Sequence, residues 1–146
     1  MPSFADRNSP PRILFVCTGN SARSQMAEGF ARHLGFDAHS SGTEPAAVLN
    51  PNAVVAMAEK DIEIGGQTPK VYDQETAETM DVVVTVCGDA EERCPVLPPS
   101  VRRIHWPLPD PARATGSPDD VLTVFRRVRD DIEQRIYVLK QEMESR

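Results

Sequence analysis

The run Cys17-Thr18-Gly19-Asn20-Ser21-Ala22-Arg23-Ser24 constrains this chain more than any other segment. Five residues separate a cysteine from an arginine, and the flanks differ in hydrophobic period. Ahead lies Ile13-Leu14-Phe15-Val16, a short unbroken apolar run with the pattern of a strand buried on both faces. Behind it, Met26-Ala27, Phe30-Ala31 and Leu34 recur at helical spacing. The motif therefore belongs on a strand-to-helix turn, where backbone N–H groups and the positive end of a helix dipole converge on one point. A tetrahedral oxyanion fits such a concavity. Thr18, Gly19, Asn20, Ser21, Ala22, Arg23 and Ser24 form the expected oxyanion-binding set, with Arg23 able to fork two oxygens. The same positive field favours Cys17 as a nucleophilic thiolate. Gly19 and Asn20 suit unusual backbone angles, and Ser24 can donate a hydrogen bond to the sulfur. The plainer alternative is a buried structural cysteine followed by a surface arginine.

Beyond the motif, strand and helix signals alternate. Strands are expected over 12–16, 37–41, 81–86 and 103–106. Helices are expected over 24–34, closed by Gly35; from the Asn50 cap and Pro51 to about residue 60; and over 74–79, capped by Asp73. A last helix opens at Ser117-Pro118-Asp119-Asp120 and carries Val121, Val124, Phe125, Val128, Ile132, Ile136 and Leu139 at helical period. Residues 65–69 read as a loop, and 107–111 are too proline-rich for regular structure. This alternation predicts an α/β fold: a single domain with a four-stranded parallel sheet and helices on both faces. Ligands of such sheets bind beyond the carboxyl ends of the strands. Cys17 and Cys87 both fall at such ends, so two thiols share one rim.

The length of 146 residues suits one domain with a real core and is short for two. The expected division is a flexible leader over 1–11 and a domain over 12–146. The formal net charge of −6 argues against nucleic acid and an anionic membrane as partners. It leaves room for an anionic small substrate, because the Cys17 loop makes a local field of opposite sign. No run is apolar enough to span a bilayer, and the first residues lack the pattern of a signal peptide, so a cytoplasmic location is expected. In a reducing compartment, three cysteines point to reactive thiols rather than a structural disulfide. The three histidines carry little information, and none is assigned a role.

Two further constellations bear chemistry. Asp110, in Leu108-Pro109-Asp110-Pro111, is a carboxylate on a stiff loop that can serve as general acid to the leaving oxygen. Taken alone, an aspartate between prolines is more often a turn residue. The segment from Cys87 to Cys94 has a helix-tolerant interior. As a helix it would hold the two Cα atoms roughly 10 Å apart, at about 1.5 Å per residue. A disulfide needs about 7 Å or less. If these cysteines pair, the segment must unwind, switching between a reduced helical and an oxidised looped form. Two independent buried cysteines are the alternative. Zinc is disfavoured, because no close Cys or His pair has ligand spacing, and no metal site is expected.

These motifs together are family marks: the stretch from Val16 through Arg23-Ser24-Gln25-Met26-Ala27-Glu28-Gly29, then Val84-Thr85-Val86-Cys87-Gly88-Asp89-Ala90, Cys94-Pro95-Val96-Leu97-Pro98-Pro99, His105-Trp106 and Asp110-Pro111. The chain resembles the thioredoxin-coupled arsenate reductases, a branch built on the low-molecular-weight tyrosine phosphatase fold. The first and last motifs are shared with the phosphatases; the Cys87 and Cys94 pair marks the reductases. The resemblance implies that Cys17 attacks arsenate while Asp110 protonates the departing oxygen. Cys87 then attacks Cys17 and releases arsenite, Cys94 attacks Cys87, and thioredoxin reduces the Cys87–Cys94 disulfide. It also implies arsenate as substrate, with phosphate or sulfate as analogue, a monomer, and no cofactor beyond electrons from thioredoxin. Some members bind potassium through positions matching Asn20, Glu28, Ser40 and Thr68 plus an acidic residue. Lys70 stands in place of that acid, so an ammonium is expected to replace the ion. The alternatives are a low-molecular-weight protein tyrosine phosphatase, a glutaredoxin-coupled reductase, and an oxyanion-binding or redox-sensing module without turnover.

Overall fold

The computed structural model describes residues 9–88 and 96–144. Four parallel strands, β1 (Arg12–Cys17), β2 (Asp37–Gly42), β3 (Val82–Thr85) and β4 (Arg102–His105), stand in the order β2-β1-β3-β4. Between and after them run α1 (Arg23–His33), α2 (Pro51–Ala58), α3 (Gln74–Glu78) and the long α4 (Pro118–Glu144). The expected α/β architecture is present, with element ends displaced by a residue or two. One small element departs from expectation: a single 3-10 turn, Pro111–Arg113, follows the proline-rich stretch. Pro111 suits its first position, where a missing N–H costs nothing.

The central strands are apolar from Ile13 to Cys17 and from Val82 to Val84 because both faces are covered. Ile13, Phe15, Val82, Val84 and Val86 pack with α1, α2 and α4 through Met26, Phe30, Met57, Phe125 and Ile132. Leu14, Val16 and Val83 face the opposite way, onto Ala77, Met80, Leu97 and Val101. Each fully buried aliphatic or aromatic side chain contributes about 1.5–3 kcal/mol. Phe15 and Trp106 also meet as tilted rings with centroids 5.8 Å apart.

Helix ends follow the local chemistry. Asn50 caps α2 through Oδ1, which accepts from the N–H of Asn52 at 2.9 Å. Gly35, at φ +97, ends α1 as Phe36 N–H donates to the Ala31 carbonyl at 3.0 Å. Asp61 does the same after α2 at φ 60, without being glycine. The α2 exit is tied to α4 by a charge cluster. Arg126 grips both oxygens of Glu59, and Arg129 reaches Glu59 Oε1 at 2.6 Å and the Ala56 carbonyl at 2.9 Å. Hydrogen bonds from Arg126 and then Arg129 hold the Glu59 carboxyl down at about 2.

The register sets the carboxyl ends of three strands side by side. Cys17 pairs with Gly42, and Val16 with Thr85, two residues before Cys87.

Candidate functional site

The turn from β1 into α1 is held from behind by the segment after β2. N–H groups of Thr43, Glu44, Ala46 and Asn50 donate to the carbonyls of Cys17, Thr18, Gly19 and Ser21, at 2.8–3.3 Å. The Asn20 carbonyl also has a donor, the Gln25 side-chain amide at 3.0 Å. In a planar trans peptide the C=O and the following N–H point in opposite directions. Five carbonyls drawn outward therefore turn the N–H groups of Thr18, Gly19, Asn20, Ser21 and Ala22 inward. The N–H of Asn20 makes this visible by meeting Cys17 Sγ at 3.1 Å. Helix α1 adds its first turn to the same mouth, with no side-chain cap at Ala22.

Asn20 supplies the bend. Its φ of 47 is left-handed, a region asparagine tolerates better than most residues. Gly19, expected to share this role, is not left-handed. Gly42 instead provides the close approach: a Cβ there would stand 2.5 Å from the Thr18 carbonyl oxygen.

Cys17, 2% exposed, is a free thiol whose Sγ lies 2.8 Å from Ser24 Oγ. Asn20 Nδ2 donates to that Oγ at 2.8 Å, which leaves the Ser24 hydrogen to point at the sulfur. Arg23, equally buried, donates from Nη1 to the carbonyls of Val86 and Leu108, both at 3.0 Å. Its Nη2 stands 3.7 Å from Asp110 Oδ2. Asp110 fills the turn role weighed for it, Oδ1 accepting from Ala112 N–H to start the 3-10 turn, while its Oδ2 faces the arginine.

Cys87 is a second buried cysteine outside any disulfide. Its neighbour Val86 is bonded to the Val16 carbonyl through its N–H, at 2.9 Å, and to Arg23 through its carbonyl. Cys17, Arg23, Cys87 and Asp110 thus meet on one rim. Gly88 packs against the acid loop so closely that a Cβ would lie 2.2 Å from the Leu108 carbonyl oxygen. Cys94, and with it the proposed 87–94 switch, lies outside the described residues.

Behind the loop, the residues matching the potassium-binding positions of some family members are gathered around Lys70. Its ammonium donates to the Thr68 carbonyl at 2.7 Å and stands 3.8 Å from Glu28 Oε1, the oxygen that accepts from Ser40 Oγ at 2.6 Å. Asn20 Oδ1 accepts the Lys70 backbone N–H at 2.8 Å. The ammonium thus takes the Thr68 carbonyl and faces Glu28, two of the oxygens that a monovalent ion would use.

Sequence reasoning missed the support behind the loop. Residues 43–50 act through backbone N–H groups, which leave no side-chain signature. Gln25 and Gln67 were read only as helix and loop residues. Gly42, following Ser40-Ser41, carried the one available hint: three small residues before a loop permit close backbone approach.

The fold and this site define a cysteine-and-arginine oxyanion cradle at the carboxyl edge of a parallel sheet. The chain belongs to the low molecular weight phosphotyrosine protein phosphatase family, whose model matches residues 12–146. Its relatives include the arsenate reductase of Bacillus licheniformis, 50% identical over 131 residues, with 88% of this chain and 94% of that protein covered. The arsenate reductase of Bacillus subtilis is 50% identical over 127 residues, covering 85% and 91%. Among solved structures, an arsenate reductase in the phosphate binding state superposes with a TM-score of 0.74 at 36% identity, covering 90% of this chain and 98% of that one. A thioredoxin-dependent arsenate reductase of Corynebacterium glutamicum gives 0.72 at 25% identity, with 94% of this chain and 64% of that chain covered. No helix among the described residues is long and apolar enough to cross a membrane.

Proposed function

We propose that the chain is a thioredoxin-coupled arsenate reductase that works by a three-cysteine relay. Support comes from arsenate reductases half identical over most of both chains, and from the thioredoxin-dependent neighbour. The observation that carries the mechanism is the shared rim: a serine-bonded Cys17 in an inward-facing N–H cradle, with Cys87 just beyond the neighbouring strand.

Cys17 thiolate attacks arsenic in arsenate held by the N–H groups of 18–24 and the Arg23 guanidinium. Asp110 gives its proton to the departing oxygen, which leaves as water. Cys87 thiolate then attacks Cys17 sulfur. The S–As bond breaks with its electron pair going to arsenic, so arsenite departs and a Cys17–Cys87 disulfide remains. Cys94 attacks Cys87 and frees Cys17, whose thiolate is a good leaving group in the cradle. Thioredoxin reduces the Cys87–Cys94 disulfide. Lys70 supplies the positive charge behind the loop, so replacing sodium by potassium leaves turnover unchanged. The working unit is taken as a cytoplasmic monomer, with residues 12–146 as its domain and 1–11 as a leader.

The family likeness and the Cys17, Arg23 and Asp110 set also favour a second reading, phosphate-ester hydrolysis, which has no use for Cys94. Cys94→Ser separates the two. Steady-state arsenite production with thioredoxin should stop, while hydrolysis of p-nitrophenyl phosphate persists. Wild-type arsenate turnover in that variant would rule out the relay.

A further inference from the structure

Gln25 touches none of the reacting groups, yet its amide is completely buried. Its Nε2 donates to the Asn20 carbonyl at 3.0 Å, to Asn20 Oδ1 at 3.2 Å and to the Thr68 carbonyl at 3.0 Å. Its Oε1 accepts from Gln67 Nε2 at 2.7 Å, and this donor fixes which end of the Gln25 amide faces Asn20. Asn20 Oδ1, filled by Gln25 and by the Lys70 backbone N–H, in turn leaves its own NH2 to face Ser24. Ser24 Oγ accepts that hydrogen and directs its own to Cys17. Donors therefore run one way, from Gln67 through Gln25, Asn20 and Ser24 to the sulfur.

We propose that Gln25 is a positioning residue for Cys17, acting through Asn20 and Ser24. The proposal rests on Cys17 being the nucleophile. The backbone explains why an amide is needed. Asn20 must hold φ at 47 to aim its N–H at the sulfur, and this turns its carbonyl into the protein. The segment 43–50 takes the carbonyls of Cys17, Thr18, Gly19 and Ser21, and the Asn20 carbonyl falls to Gln25. A buried carbonyl deprived of its donor is costly, so the loop without this amide relaxes away from the strained angle. Both hydrogen bonds to the sulfur then weaken together. A carboxylate at position 25 is worse than an apolar side chain, because it would confront three oxygens.

Gln25→Met keeps the volume and removes the donor. The expected result is a roughly tenfold slower alkylation of Cys17 by iodoacetamide at fixed pH, with site assignment by mass spectrometry. The ultraviolet thiolate absorbance falls with it, and kcat for arsenate drops more than KM changes. Gln25→Glu shows a larger loss, and Gln67→Leu a smaller one in the same direction. Wild-type alkylation and kcat in folded Gln25→Met would overturn the proposal. If that variant does not fold, Gln67→Leu decides: slowed alkylation supports the chain of donors, and an unchanged rate overturns it. Wild-type protein reports separately on the nucleophile. If iodoacetamide does not label Cys17 there, or Cys17→Ser still turns over, the nucleophile assignment itself has failed. If Cys17 reacts normally and the position-25 variants match it, only Gln25 has.

Discussion

The two halves of the site are built differently. The Cys17 loop is held largely by backbone: five consecutive carbonyls have donors behind them, four from one segment running parallel to the loop and one from Gln25. The facing rim, made by Val86 to Gly88 and Leu108 to Asp110, is tied to it through the Arg23 guanidinium, and its own two segments meet where Gly88 lies against the Leu108 peptide. The loop's shape is thus supported by the protein itself, as preorganised anion stabilisation requires. The rim is held through the Arg23 side chain, as suits a part that in the proposed relay delivers a proton and then releases a second thiol.

Breaking Arg23 should have the largest effect, because it serves both halves. Arg23→Lys removes the fork to the anion and cannot reach the Val86 and Leu108 carbonyls with the same geometry. Arsenate reduction and aryl phosphate hydrolysis should both fall by about 10²–10³-fold in kcat. A loss confined to KM would mean that Arg23 only binds.

The two glycines sharpen the contrast. Gly88→Ala pushes on the Leu108 peptide and displaces Asp110. Hydrolysis of phenyl phosphate, whose leaving group needs a proton, should fall about ten- to hundredfold. That of p-nitrophenyl phosphate should fall far less, and thermal stability should change little. Equal losses on both esters would show that Gly88 does not act through the acid. Gly42→Ala pushes on Thr18 and Asn20 instead. It should cost about 1–3 kcal/mol of stability and lower both ester rates together, read by denaturant unfolding and kinetics.

Glu59 lies outside both halves and should have the smallest effect on activity. Its carboxyl is lowered from 4.5 to about 2 in the folded chain, so its contribution is complete above the unfolded value and disappears as pH falls towards 2. Glu59→Gln should melt somewhat lower at neutral pH and show a flatter loss of melting temperature below pH 4.5. Turnover should be unchanged. An identical acid profile in the variant would mean that the Arg126 and Arg129 contacts do not stabilise the fold.

What was legible in the sequence follows the same division. The central strands showed as apolar runs because both faces of the sheet are covered; Cys17 and Cys87 showed as thiols at strand ends, Arg23 as the arginine closing the turn and Asp110 as a carboxylate on a proline-stiffened loop. The clamp over 43–50 was illegible because any residue but proline has the N–H it uses. Gln25 looked like an ordinary polar helix residue; only the three-dimensional path of the Asn20 carbonyl gives its amide a partner. Asn20, rather than Gly19, took the left-handed angle because its side chain is needed at Ser24, where glycine offers nothing.

In the proposed relay Cys17 attacks first and Cys87 second. A single-turnover experiment without thioredoxin tests it most directly, by measuring arsenite released per chain and thiols lost. Wild type and Cys94→Ser should each release one arsenite and lose two thiols, the latter stopping at a Cys17–Cys87 disulfide. Cys87→Ser should bind arsenate and release none. A wild-type burst of arsenite from Cys87→Ser would contradict the account.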